Sequence, residues 1–191
     1  MINPKKSQLR IISGVWRGTK LPVPDIEGLR PTPDRVRETV FNWVGADCRG
    51  SSVLDCFAGS GALGIEALSR GAVHLTLLEK NKSVWQNLTS QTQRLCGQNV
   101  EVLCGDALQI IAQLDRQFGL VFIDPPYQFP ELRDLTIAQL VKHNRLIKGS
   151  RLYLEWPLGE HYELPSEDFS WLKRKKAGRV NYAMVEWHGN R

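Results

Sequence analysis

The chain has 191 residues, of which 42% are hydrophobic and 24% charged, with a formal net charge of +5. This length and composition suit one compact domain with a sizeable core and a small appendage. No apolar segment is long enough to span a bilayer, and residues 1–6 lack the apolar core of a signal peptide, so we expect a cytoplasmic protein. The positive charge favours an acidic partner, but an excess of five is modest, so the placement of the basic residues must decide.

The first 32 residues are predicted to form a small basic β-hairpin extension, ahead of a main domain at residues 33–191. This stretch is punctuated by glycines and is strand-like, and cations recur along it, which favours contact with phosphate groups. The candidate contacts are Arg10, Arg17, Lys20 and Arg30.

The helix predicted from Pro33 has apolar side chains at core spacing, with Thr32 as its candidate N-cap and the proline at its first position. Two cations in its first turn, Arg35 and Arg37, oppose the helix dipole unless an anion lies nearby. For Arg37 alone, a pair with Asp34 one turn away is an equally good interpretation. When Arg30, just before this helix, is considered with them, phosphate binding explains both cations better.

From about residue 50 onward, strand-like runs alternate with helical stretches. The runs rich in β-branched, leucine and aromatic residues are 53–57, 75–79, 100–104, 120–123 and 151–156. The helical stretches are 62–70, 82–96, 107–117 and 132–146, and glycines follow the first two. This order predicts an α/β fold, with a mostly parallel sheet covered by helices on both faces.

A glycine-rich turn joins the first strand of this sheet to its first helix. It therefore lies at the carboxyl edge of the strands, where α/β sheets bind ligands. Gly59, Gly61 and Gly64 satisfy the pattern G-x-G-x-x-G, although a lone match of this kind also describes an ordinary tight turn.

Four carboxylates near the ends of successive strands are expected to surround one pocket. Glu79 ends the second strand, where it can accept hydrogen bonds from both hydroxyls of a ribose, a feature that also fits a nicotinamide dinucleotide. Asp55, Asp106 and Asp124 are the other three. Such a ring repels a pyrophosphate and attracts a cofactor that carries an ammonium and a sulfonium, so the pattern favours S-adenosylmethionine over NAD.

The tetrapeptide Asp124-Pro125-Pro126-Tyr127 follows the apolar run of the fourth strand. Its prolines fix the backbone angle and remove two amide donors, so nearby carbonyls can accept hydrogen bonds from a ligand beside the Asp124 carboxylate. An exocyclic base amine can donate to these acceptors, and Tyr127 offers a ring face for stacking. On the tetrapeptide alone, an ordinary proline turn is an equally good interpretation.

The last elements differ, because residues 170–176 and 180–187 have no helix between them and share a turn at 177–179. We expect an antiparallel hairpin at the edge of the sheet, with Tyr182 and Trp187 packed rather than stacked on a base. Its basic cluster, Lys173 to Lys176 with Arg179, has two equally good interpretations: contact with an anionic partner, or a solvated edge strand that its lysines keep from aggregating.

The cysteines have neither Cys-x-x-Cys spacing nor a histidine at zinc-finger distance, and at least two lie in apolar, strand-like runs. We therefore expect free, buried thiols and no metal at Cys48, Cys56, Cys96 and Cys104.

Four longer blocks carry a resemblance to one family: RIISG at 10–14, WRG at 16–18, LRPTPDRVRET at 29–39 and FAGSGALGIEALSRG at 57–71. With the carboxylates and the proline tetrapeptide, they are similar to the bacterial RsmD family of 16S ribosomal RNA guanine-N2 methyltransferases, over nearly the full chain. The resemblance implies a Rossmann-like class I methyltransferase fold, with a seven-stranded, mostly parallel sheet and an antiparallel C-terminal hairpin strand.

The resemblance also implies roles for individual residues. S-adenosylmethionine would bind at Asp55, Phe57, Gly59, Gly61, Glu79, Asp106 and Ala107. Asp106 is also expected to be the N-cap of the helix that it precedes, which is worth about 1 kcal/mol. The catalytic set would be Asp124, Pro125, Pro126 and Tyr127, without a metal. Small-subunit ribosomal RNA, or the 30S particle, would be the partner of the basic hairpin, and the enzyme would act as a monomer.

Three other functions remain open on sequence alone. A DNA adenine or cytosine methyltransferase shares the proline tetrapeptide, but this chain has little room for a domain that reads DNA sequence. A protein-glutamine methyltransferase also acts on a planar amine, but it leaves the basic arm unexplained. An RNA-binding assembly factor with a vestigial cofactor fold is the non-enzymatic alternative, and the intact motifs argue against it.

Overall fold

The computed structural model describes residues 8–23, 26, 32–95, 97 and 99–189. Within them, a seven-stranded sheet has the strand order β5-β4-β3-β6-β7-β9-β8. Its strands are β3 (Ser52–Asp55), β4 (His74–Glu79), β5 (Val100–Cys104), β6 (Phe118–Ile123), β7 (Leu146–Pro157), β8 (Phe169–Ala177) and β9 (Val180–Trp187). Strands β3 to β7 pair in parallel, whereas β9 runs antiparallel between β7 and β8. The predicted sheet and its antiparallel hairpin are confirmed.

In the described part of the chain, five α-helices cover the sheet: α1 (Asp34–Val44), α2 (Ala62–Ser69), α3 (Lys82–Leu95), α4 (Ala107–Gln113) and α5 (Leu132–Lys142). Apolar side chains of α1, α2 and α3 pack into one core on one face of the sheet, and those of α4 and α5 pack into a second core on the other face. Burial on both faces explains why the central strands are almost continuously apolar.

Two helices end earlier than their sequence pattern predicts, and each has a local cause. Helix α5 ends at Lys142 because Asn144 adopts a left-handed conformation, with φ of 55°, and Leu146 already begins β7. Helix α4 ends at Gln113 because Leu114 has extended backbone angles. At the start of α1, Pro33 occupies the N-cap position and no side chain caps the helix, so the prediction of a Thr32 cap is wrong.

The N-terminal hairpin is a separate two-stranded sheet of β1 (Gln8–Arg10) and β2 (Lys20–Pro22). Its buried apolar side chains, Leu9, Ile11, Leu21 and Val23, belong to the same core as α1 and α2. The hairpin therefore has no core of its own, and its packing is continuous with that of the main sheet.

The cysteine prediction is correct for Cys48 and Cys56, which are free and buried, and wrong for Cys104, which is free but exposed on the edge strand β5. Cys96 lies outside the described residues. Tyr182 and Trp187 are buried, as predicted. Among the helices that the structure describes, none is long and apolar enough to cross a membrane.

Candidate active site

The carboxyl ends of the parallel strands place the predicted site residues along one edge of the sheet. Asp55 is the last residue of β3 and pairs in register with β4 on one side and β6 on the other. Glu79 ends β4, and Asp124 directly follows β6. Their charges interact. Besides burial, the Glu79 charge helps to raise the pKa of the Asp55 carboxyl, and the Asp55 charge helps to raise the pKa of Asp124. The fold therefore brings these three acids together.

The glycine turn closes tightly over this edge. Gly59 and Gly61 have positive φ angles of 51° and 75°, which glycine adopts without a steric penalty. A Cβ on Gly61 would lie only 2.8 Å from Ile65 Cδ1 and 2.8 Å from Leu88 Cδ2. The turn is consequently packed against side chains of α2 and α3 at Gly61, where a larger residue would clash.

Asp55 holds the turn from below. Its Oδ2 accepts a hydrogen bond of 3.1 Å from the Gly64 N–H, the first turn of α2. Burial raises the pKa of Asp55 to about 7, against the opposing effect of backbone hydrogen bonds from Gly64 and Phe57. A cation bound beside this carboxyl would stabilise its ionised form.

Glu79 and Asp106 are fixed by hydrogen bonds at the same edge. Glu79 Oε2 accepts from the Gly59 N–H at 2.9 Å, and Oε1 accepts from the Asn81 N–H at 2.7 Å. Asp106 Oδ1 accepts from the Leu108 N–H at 3.0 Å, so the predicted N-cap of α4 is confirmed. Its Oδ2 also pairs with Lys80 Nζ at 3.1 Å.

The proline tetrapeptide contains a buried proline and ends with an exposed tyrosine. Pro125 is buried, whereas Tyr127 is 61% exposed. The Pro126 carbonyl accepts a hydrogen bond of 2.9 Å from the Phe129 N–H, which turns the chain, and Phe129 is 52% exposed. Partial burial, with the charges of Glu155 and Asp124, raises the pKa of Tyr127 to about 12. Two exposed aromatic side chains thus follow Asp124 in the same loop, and the Tyr127 phenol stays neutral.

Glu155 is a site residue that the sequence analysis missed. Ile123, the last residue of β6, pairs in register with Leu154 of β7. The next residues, Asp124 and Glu155, therefore lie side by side. Glu155 is buried, and its Oε1 accepts a hydrogen bond from the Tyr153 hydroxyl. Burial, and then the charges of Glu155 and Asp55, raise the pKa of Asp124 well above its ordinary value.

The Asp124–Glu155 pair has no counter-ion among the described residues, since no salt bridge there involves either side chain. Burial also raises the pKa of Glu155, while hydrogen bonds from Tyr153 and Asp124 lower it. Two adjacent carboxyls of this kind resist simultaneous ionisation. In sequence, Glu155 could have been found only by predicting the register of β6 and β7.

Comparison with known proteins identifies the family. The family described as "Conserved hypothetical protein 95" matches residues 9–186. The Ribosomal RNA small subunit methyltransferase D of Escherichia coli is 42% identical over 179 residues, which cover 94% of this chain and 90% of that protein. The chain belongs to the RsmD family. Its resemblance to this family is thereby confirmed.

Solved structures agree with this assignment. The putative methyltransferase yhhF from Escherichia coli has a TM-score of 0.89 and 38% identity, with 96% of this chain and 100% of that chain covered. A putative methyltransferase complexed with SAH has a TM-score of 0.70 over 97% of this chain and 57% of its own, and at 12% identity it shows a shared fold alone. The predicted class I methyltransferase fold is confirmed.

The cations predicted to bind phosphate divide into two groups in this RsmD-family structure. Arg10, Arg17, Lys20 and Arg35 are exposed, while Arg30 lies outside the described residues. Arg37 is a correction, because its side chain is 0% exposed. Its Nη2 donates to Asp34 Oδ1 at 2.6 Å and to the Arg10 carbonyl at 2.7 Å, so the local pairing with Asp34 replaces phosphate binding.

The turn of the hairpin lies away from the carboxyl edge. The Val15 N–H donates to the carbonyl of Ser69, the last residue of α2, at 2.8 Å. Because α2 starts at the glycine turn and runs back along the sheet, its last residue is near the opposite edge. Arg17, in the same turn, is therefore remote from Asp124, and sequence order alone could not reveal this.

Proposed function

We propose that this protein is an S-adenosylmethionine-dependent methyltransferase that modifies the exocyclic N2 amine of a guanine in small-subunit ribosomal RNA. The observation that carries the proposal is the arrangement at the carboxyl edge. Asp124 and the buried Pro125 follow β6, which pairs with the strand that leads into the glycine turn, and exposed aromatic side chains come next in the same loop. The name of the 42% identical Escherichia coli relative supports methylation of ribosomal RNA.

The residues at the glycine turn fit S-adenosylmethionine. When bound, this cofactor supplies an electrophilic methyl group on a sulfonium. Asp55 and the backbone of Gly59 and Gly61, with Phe57, would contact its methionine part, because Asp55 ends β3 and accepts from the Gly64 N–H directly beneath the glycine turn. Glu79 would bind the ribose hydroxyls, and Asp106 with Ala107 would border the adenine.

The base would bind at the proline tetrapeptide. Asp124 and the Pro125 carbonyl would accept the two hydrogens of the guanine N2 amine, which localises the nitrogen lone pair and aligns it with the methyl group. Tyr127 would stack on the base, and Pro126 fixes the turn that presents it. Phe129, two residues after Tyr127 and also exposed, would enlarge this stacking surface.

Proton removal needs no strong base. The amine becomes strongly acidic only as the new bond forms, so Asp124 or water can take the proton late in the transfer. Asp124 must be ionised in order to take that proton. A cationic group beside the carboxyls favours that ionisation. Binding of the cofactor would therefore help to ionise Asp124, the proton acceptor.

The finer features of the substrate are inferred from the small N-terminal hairpin. The hairpin offers few residues to read RNA sequence, so we infer that an assembled or partly assembled 30S particle, with its target loop already shaped, is the substrate. Such an enzyme would work in the cytoplasm as a monomer. Equal methylation of protein-free RNA and of the particle would contradict this inference.

Transfer of labelled methyl from S-adenosylmethionine to particles and RNA from cells that lack this protein tests the function. We expect label in N2-methylguanosine at one site, and loss of that label with Asp124→Ala. Label in adenine, DNA or protein would overturn the substrate. Cofactor binding without any transfer would favour an RNA-binding assembly factor instead.

A further inference from the structure

We propose that the basic strand, defined as Lys173–Lys176 of β8 with Arg179 in the turn that follows, binds the phosphate backbone of the RNA substrate. This inference rests on the proposed function and adds a second contact surface to it. The basic strand lies at the β8 end of the sheet, whereas the N-terminal hairpin contacts α2 and α3 toward the β5 end. The RNA would then be held beside the target base by the basic strand, in addition to any contact with the more distant hairpin.

Sheet register places the basic strand at the catalytic edge. Lys175 pairs with Tyr182 of β9, and Tyr182 pairs with Glu155 of β7. Glu155 lies beside Asp124, as β6 and β7 pair at Ile123 and Leu154. Neighbouring strands are about 4.8 Å apart, so Lys175 is on the order of 14 Å from Asp124 across the sheet. A few nucleotides of RNA span this distance.

The charges of the basic strand are accessible. Lys173, Arg174, Lys175 and Lys176 are all exposed. In the part of the chain that the structure describes, no salt bridge involves them or Arg179. Successive side chains of a strand point to opposite faces, so these cations are present on both faces of the sheet at the catalytic edge. Four adjacent cations repel one another, and a polyanion at this edge relieves that repulsion.

One of these cations is held in place. The Arg174 guanidinium carbon lies 4.6 Å from the centre of the Trp171 ring, and this stacking restricts the side chain while its donors remain exposed. A planar guanidinium matches the geometry of a phosphate better than a solvated ammonium does. Protection of the edge strand against aggregation accounts for lysines anywhere along β8, but it does not require them to cluster at the catalytic end.

The amino edge of the sheet offers a matched control. Lys142 is the last residue of α5, and Lys148 is near the start of β7, so both lie at the edge opposite Asp124. Both are exposed. The variants Lys173→Gln/Lys175→Gln and Lys142→Gln/Lys148→Gln remove the same charge from the two edges, and a third variant, Arg174→Gln/Lys176→Gln, tests the other face of the basic strand.

The experiment measures the Kd of full-length protein for protein-free 16S ribosomal RNA at several salt concentrations, together with KM and kcat for particle methylation. We expect about 10-fold weaker binding at 0.1 M salt for Lys173→Gln/Lys175→Gln, and a log–log salt slope smaller by about 0.7 for each lost phosphate contact. KM should rise while kcat stays near that of the unchanged protein. The amino-edge control should match the unchanged protein in all four quantities.

An unchanged Kd and salt slope in both basic-strand variants, with normal thermal unfolding, would overturn the proposal. So would equal losses in the amino-edge control, because they would show an effect of net charge alone. Loss of binding to vesicles of phosphatidylglycerol and phosphatidylcholine, with RNA binding intact, would assign the basic strand to a membrane surface instead. Failure of the unchanged protein to methylate any RNA would contradict the proposed function, a result distinct from unchanged binding in the variants.

Discussion

Asp55 links the protonation of a single buried carboxyl to the stability of the whole chain. Burial raises its pKa to about 7 in the folded protein, from an ordinary value of 3.8. Below the ordinary pKa of 3.8, the carboxyl is protonated in both the folded and the unfolded states, so its contribution to the free energy of unfolding is fully present. As pH rises toward 7, only the unfolded chain ionises, and that contribution is lost.

We therefore expect Asp55→Asn to stabilise the protein at high pH. The amide keeps an oxygen that can accept from the Gly64 N–H, and it removes the ionisation. Without cofactor, the free energy of unfolding should increase by about 2 kcal/mol at pH 8 and by little near pH 4. Urea denaturation at both pH values measures this difference. Asp115→Asn, at an exposed site, is the control, and an equal gain at both pH values would contradict the explanation.

At the residue scale, Glu155 also contributes, after burial, to the raised pKa of Asp124. In Glu155→Gln, one carboxylate charge is gone and the amide can donate to Asp124, so the pKa of Asp124 should fall. If methyl transfer requires ionised Asp124, the acidic limb of the pH profile of kcat/KM should move to lower pH.

The groups around Asp124 and Glu155 that titrate or carry charge are Tyr153 beside Glu155, Tyr127 on the same loop and Asp55 at the end of β3. None of them changes in this variant. Glu160→Gln, an isosteric change at an exposed position beyond β7, should leave the limb in place. A limb that stays fixed in Glu155→Gln would show that Asp124 ionisation does not limit the reaction.

At the scale of elements, one buried carboxylate joins the N-terminal hairpin to two helices. Glu66 of α2 accepts hydrogen bonds from the Ile12 N–H at 2.8 Å and the Ser13 N–H at 2.9 Å. It also pairs with Arg37 of α1 at 3.4 Å and with Arg70 at 2.8 Å. Glu66 and Arg37 are both fully buried, so neither charge has water as an alternative partner.

Glu66→Ala should therefore destabilise the protein strongly. The substitution leaves the Arg37 charge without this partner and two hairpin amides without acceptors, which costs on the order of 3–5 kcal/mol. Glu66→Gln retains an acceptor and should cost less. Chemical denaturation gives the free energies, and limited proteolysis of the hairpin reports its release. A cost for Glu66→Ala within about 1 kcal/mol of that for the exposed Glu38→Ala would contradict this role.

At the scale of the whole molecule, acidic and basic groups are separated in space. The carboxylates Asp55, Glu79 and Asp124 lie at the middle of the carboxyl edge, and exposed cations lie toward both ends of the sheet. A net charge of +5 does not convey this arrangement. Charges placed in this way favour a polyanion toward the two ends of the sheet and a cationic group at the centre, as the proposed function requires.

The sequence by itself determined the order of strands and helices, the glycine turn and the proline tetrapeptide. These features depend on local patterns: alternation of apolar runs, glycine where φ is positive, and a proline-fixed turn behind a buried strand. The N-cap role of Asp106 was predicted for the same reason, since it depends on a residue only two positions away.

Tertiary structure alone decided which long-range partners the charged residues have. Arg37 is buried against Glu66, 29 positions away, although its local sequence fits phosphate binding equally well. Glu155 adjoins Asp124 only through the register of β6 and β7, and the basic strand reaches the catalytic edge only because β8 and β9 run antiparallel at that end. Burial and strand register bring together residues that are distant in the chain. The energy of a charge depends on these neighbours, and local sequence patterns do not contain them.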